Sequence, residues 1–86
     1  MPHLQPIYGP QPGSRRSVYR EIVQAATATN WQITRIDYAY SPQSNGFVED
    51  ADVIVAGLKD ALRVMQLDTV MKAISRRGKA YLVRTK

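Results

Sequence analysis

Eighty-six residues leave room for one small domain and exclude a two-domain enzyme. With 44% apolar and 22% charged residues the composition sits near the globular average, so a packed core is expected rather than wholesale disorder. Twelve Lys and Arg against seven Asp and Glu give a net charge of +5, which favours anionic partners, and the lack of cysteine excludes disulfides, thiolate metal sites and a cysteine nucleophile.

No apolar run approaches the roughly 18 residues that a membrane span needs, and MPHLQPIYGP lacks the charged start and apolar stretch of a signal peptide. The expectation is a soluble, cytoplasmic protein that engages no membrane. Residues 1–13 hold four of the five prolines and two of the five glycines, a composition that predicts a proline-rich tail ahead of a single α+β domain over 14–86. Leu4, Ile7 and Tyr8 are too apolar for a pure spacer, which gives the tail a means of lying along the domain or a partner.

Ser14 is a candidate N-cap, and Val18, Ile22, Ala25, Ala26 and Thr29 recur at helical spacing after it, predicting a helix over 15–29 that Asn30 closes in the left-handed conformation. QITRIDYAY then alternates β-branched and aromatic residues, so a strand is expected over 32–40, followed by the turn-forming SPQSNG. From Phe47 to Gln66 the spacing of Ala51, Ile54, Val55, Leu58, Ala61, Leu62 and Met65 favours a helix, with Glu49, Asp50 and Asp52 in a first turn where the helix dipole suits them. A second reading pairs 47–55 with 32–40 as a hairpin, because DVIVAG resembles a strand and Gly57 weakens a helix by about 1 kcal/mol. Asp68 caps a predicted third helix containing Val70, Met71 and Ile74, which Arg76-Arg77-Gly78 terminates, and KAYLVRTK alternates as a terminal strand over 79–86.

The predicted order is therefore helix, strand, helix, helix, strand, or helix, hairpin, helix, strand on the second reading. Two strands make a marginal sheet, so a homodimer is expected to complete it through an exposed strand edge.

Catalytic chemistry finds little support in the residues. His3 is the only histidine and lies in the proline-rich tail, the acidic cluster at 49–52 is explained by the helix dipole, and the five glycines form no phosphate loop. The expectation is a protein that is not an enzyme and uses neither cofactor nor metal. Charge distribution says more. Residues 72–86 carry Lys72, Arg76, Arg77, Lys79, Arg84 and Lys86 with no acid, the first helix opens with Arg15, Arg16 and Arg20, and acids concentrate between 37 and 68.

Such segregation predicts nucleic-acid binding, DNA or RNA, on a surface of Arg15, Arg16, Arg20, Lys72, Arg76, Arg77 and Lys79, since basic surfaces take phosphate by counterion release and arginine forks grip its oxygens. Two more specific forms of this reading are a helix-turn-helix over 58–77 and a stacking platform of Tyr38, Tyr40 and Tyr81 with Arg35 and Arg84 nearby. The rival reading is an accessory factor, an assembly subunit or inhibitor, that engages a larger protein through its strand edge and through Leu4, Ile7 and Tyr8.

Overall fold

The computed structural model describes residues 8–12, 16–43 and 46–85, Tyr8 through its backbone alone. The first apolar run forms α1 (Tyr19–Thr27), shorter than its pattern. Its N-cap is Val18, whose N–H donates to the Glu21 carboxylate at 3.0 Å; Ser14 lies outside the described residues. Asn30 does not adopt the left-handed conformation expected of it, and α1 closes instead at Ala28, which is right-handed.

The strand expected over 32–40 divides into β2 (Ile33–Ile36) and β3 (Ala39–Ser41), with β1 (Tyr8–Gly9) running parallel to β2. The break has a definite cause. The Gln11 side-chain carbonyl accepts from the backbone N–H groups of Asp37 and Tyr38 at 2.9 and 3.1 Å, and its amide donates to the Tyr38 carbonyl at 2.7 Å. One glutamine thus takes the place of a neighbouring strand and satisfies the backbone where the chain leaves the ladder. Residues 8–12 accordingly lie along the domain.

The helix favoured after Phe47 forms, with DVIVAG inside it, and of the hairpin proposed over 47–55 only the first residues pair. β4 (Gly46–Val48) pairs antiparallel with β3 as a short hairpin, and α2 (Ala51–Val64) follows at once. Glu49 and Asp50 precede the helix rather than occupying its first turn. Asp50 is the N-cap, its carboxylate accepting from the N–H groups of Asp52 and Val53 at 2.9 and 3.4 Å, which satisfies two orphan donors. Gly57 is tolerated inside α2 because the Tyr19 ring of α1 lies against it; a Cβ there would run into that ring.

The predicted third helix is a strand, β5 (Met71–Arg76), which forms a hairpin with β6 (Lys79–Arg84). Arg77 and Gly78 have φ of 54° and 76°, positive at both central positions, the pattern of the two-residue turn whose twist matches flanking strands. Arg-Arg-Gly therefore ends a strand, not a helix. Ahead of it, α2 closes with Gln66 left-handed at φ 60°, the Leu67 N–H donating to Leu62 O at 2.8 Å and the Gln66 N–H to Arg63 O at 3.1 Å. The chain then goes directly into β5, so the helix-turn-helix expected over 58–77 does not form.

The result is a small α+β domain. Four strands form one sheet in the order β1-β2-β6-β5, and β3-β4 form a second. The expected dimer rested on a sheet of two strands, and the chain supplies more than that itself. Helix α2 packs on β5 and β6, and α1 packs on α2 and β3. Between them lie Ile22, Val23, Ile54, Leu58, Leu62, Ile36 and Leu82, each at most 2% exposed, and full burial of such side chains contributes about 1.5–3 kcal/mol apiece. No helix among the described residues is long and apolar enough to cross a membrane.

Candidate nucleic-acid interface

Because side chains alternate along a strand, the four-stranded sheet has two unlike faces. Thr34, Ile36, Met71, Ala73, Ala80 and Leu82 point towards the helices and are buried. The intervening residues point the other way, where no helix among the described residues packs. Register places them in rows: Ile33 beside Val83 beside Lys72, then Arg35 beside Tyr81 beside Ile74, and Lys79 opposite Arg76. Ile33, Ile74, Arg76, Arg77, Tyr81 and Val83 line a shallow concavity on this face. Its centre is half-buried and apolar, with cations at the periphery.

Four of the seven basic residues expected at the site are gathered by the β5–β6 hairpin. Lys72 and Arg76 project from β5, Arg77 occupies the turn and Lys79 opens β6; all four are exposed and none forms an ion pair among the described residues. Arg76 and Lys79 face each other directly across the ladder, an arrangement of like charges that destabilises a hairpin. Arg35 joins this face from β2, where its guanidinium pairs with Asp37 at 3.0 Å.

Arg16 and Arg20 lie elsewhere, on the helical side. The Arg16 guanidinium stands 5.8 Å from the centre of the Tyr40 ring, and Arg20 flanks a groove that Tyr19, Tyr40, Gly57 and Val64 also line. Burial raises the pKa of the Tyr19 hydroxyl above its ordinary value. Arg15, Leu4 and Ile7 lie outside the described residues, as does the side chain of Tyr8.

The expected stacking platform separates in the same way. Tyr81 sits in the middle of the open sheet face, whereas Tyr38 and Tyr40 join the smaller hairpin, each packing edge-on against Phe47 at ring distances of 6.0 and 5.7 Å. Phe47 was not singled out by the sequence, although its position opposite Tyr40 follows once the hairpin register is known.

Arg84 turns inward and leaves the basic surface altogether. Its Nε donates to Trp31 O at 2.9 Å, and Nη2 donates to the carbonyls of Ala26 and Thr27 at 2.9 and 3.0 Å and to that of Thr29. Helix α1 has no basic residue in its last turn, so this distant guanidinium supplies the positive charge that its C-terminus lacks and adds donors to those of Ala28 and Thr29.

Asp52 and Asp60 are exposed on α2, where Asp60 pairs with Arg63, whereas Asp37 and Glu49 line a cavity shared with Lys79 and Asp68 lines one shared with Lys72. No group of three or more His, Asp or Glu among the described residues gathers to hold a metal ion. Comparison with known proteins returns no matching family model, curated protein or solved structure.

Proposed function

We propose that this chain is a small non-enzymatic nucleic-acid-binding protein whose phosphate contacts are Lys72, Arg76, Arg77 and Lys79. The observation that carries the reading is the concentration of these exposed cations on one hairpin, none of them in an ion pair among the described residues. Placing like charges opposite one another weakens the hairpin, and an anion lying against it relieves that repulsion. Phosphate suits the site because arginine forks and a lysine ammonium both bind its oxygens. Arg16 and Arg20, on the other side of the molecule, are outside this surface.

The test is binding of labelled DNA and RNA as a function of salt. Arg76→Ala with Arg77→Ala is expected to weaken affinity and to reduce the slope of log K against log salt by about one to two units, with the melting transition retained. Failure of the intact chain to bind either nucleic acid at low salt overturns the reading. The position of β5 at the sheet edge favours a second one, in which a larger protein adds a strand there. Under that reading the double variant keeps its partner, and a proline at Ala73 loses it.

A further inference from the structure

We infer that the open edge of β5 takes an extended acidic segment of a partner protein as an added strand; this rests on the strand-addition reading above and is independent of the phosphate one. The two edges of the four-stranded sheet differ. The β2 edge is covered by the chain itself: β1 pairs with it, the Trp31 ring lies where a Cβ on Gly9 would be, and Gln11 holds the backbone beyond. At the opposite edge no strand among the described residues lies outside β5.

The phase of the ladder sets what that edge offers. Arg76 and Lys79 flank the two-residue turn as a bonded pair, and the Thr85 N–H donates to Val70 O at 2.9 Å, so the backbone groups of Lys72, Ile74 and Arg76 face β6. The N–H groups of Ala73 and Ser75 and the carbonyls of Met71, Ala73 and Ser75 therefore point outward, while the Met71 N–H donates to Leu67 O. A further extended backbone satisfies such a row. Beside it runs a groove between β5 and α2 whose apolar lining includes Leu62, Met71 and Ala73.

Charge then selects the occupant. In the groove Arg63 is paired with Asp60 and Asp68 is the one carboxylate, against Lys59 and Lys72, neither of them in an ion pair among the described residues. Lys72 and Arg76 point to the open face with Ile74 between them, and residues opposite these three on an added strand occupy the closely spaced, non-bonded positions where side chains meet. Acid, apolar, acid at alternate positions complements them, with small apolar residues in between on the groove side. A second copy of this chain would instead bring Lys72 and Arg76 towards their own counterparts, and like charges oppose pairing.

The test uses the full chain and a fluorescein-labelled peptide of about ten residues centred on Glu-Ala-Val-Ala-Glu, read by fluorescence anisotropy at low salt. It is expected to bind at least about tenfold more tightly than the same peptide with lysine at both glutamate positions. N-methylation of both alanines, whose N–H groups face β5 in the added strand, should lower affinity at least about tenfold, and N-methylation of the valine, whose N–H faces away, should not. Ser75→Pro removes an edge donor at an exposed position and leaves the ladder to β6 intact, so it should weaken binding about fivefold or more with the melting transition retained. Arg76→Ala with Arg77→Ala should keep the peptide, with a loss of at most about fivefold.

Loss of binding on N-methylation with no preference for glutamate over lysine overturns the acidic occupant and leaves strand addition standing. Binding indifferent both to N-methylation and to Ser75→Pro overturns the two together. A dimer of the chain in light scattering that Ser75→Pro dissolves gives the edge to a second copy and overturns the inference, as does failure of the acidic peptide to bind at millimolar concentration.

Discussion

The two faces of the four-stranded sheet are drawn from the same strands and differ by one residue in phase. On the helical face the six residues from Thr34 to Leu82 are at most 3% exposed, and each is small, β-branched or aliphatic. On the other face isoleucine, valine and tyrosine share rows with lysine and arginine. Helices α1 and α2 dehydrate the first face and thereby determine stability. The second contributes less to the core and can carry charges that a folding-only criterion would not place together. On the proposed function, segregation of stability from recognition within one sheet is what would let a chain of 86 residues do both.

The largest expected effect tests that division directly. Leu82 is fully buried against α2, and Leu82→Ala should cost about 2–5 kcal/mol, through lost transfer energy and the cavity left behind. Val83, the next residue on β6, faces outward and half-exposed, so Val83→Ala should cost well under half as much. Denaturant titration of the two variants measures the contrast, and equal losses would mean that the outward face is as fully packed as the inner one.

Arg84 is the exception that sharpens the comparison, a cation on the helical side whose work is structural. Its guanidinium donates to the carbonyls of Ala26 and Thr27 at the end of α1 and to that of Trp31 beyond it, adding to the bonds Thr29 makes to Ala26. Arg84→Met keeps the aliphatic stem and should still cost about 1.5–3 kcal/mol, the range for hydrogen bonds to a charged group. Arg84→Lys should recover only part of this, because an ammonium cannot reproduce the planar fork. Neither variant should change the salt slope of nucleic-acid binding. A fall in slope with stability unaltered would return Arg84 to the phosphate surface.

Most local structure of this chain is legible in its sequence, and the failures share one physical origin. The helix over 51–64, the strand at 33–36 and the terminal strand follow from periodicity, because burial on one face imposes it. Residues 68–77 were ambiguous in kind: Val70, Met71 and Ile74 fit a helical stripe, Met71 and Ala73 fit an alternating strand, and a left-handed glycine ends either element. Tertiary pairing with β6 decides it. The break after Ile36 involves Gln11, and the end of α1 is held in part by Arg84, whose hydrogen bond to Ala26 spans 58 positions. Local windows contain neither relationship. The candidate site was legible as a set of cations and illegible as a surface, since only sheet order separates Arg16 and Arg20 from Lys72, Arg76, Arg77 and Lys79 and puts Tyr81 among the latter.

The smallest effect is the most direct test of whether the outward face is arranged for a ligand. Arg76 and Lys79 are cross-strand partners, and Arg76→Glu turns their repulsion into an attraction worth about 0.2–1 kcal/mol in favour of the hairpin. The variant should therefore melt slightly higher than the parent, with the difference fading at high salt as the exposed charges are screened. Nucleic-acid affinity should fall at the same time, by more than Arg76→Ala causes, because a carboxylate now faces the phosphates. Opposite signs for stability and affinity from one substitution would separate a surface arranged for recognition from one arranged for folding. Were stability to fall or stay level while affinity was untouched, the facing cations at the hairpin would have no bearing on a ligand.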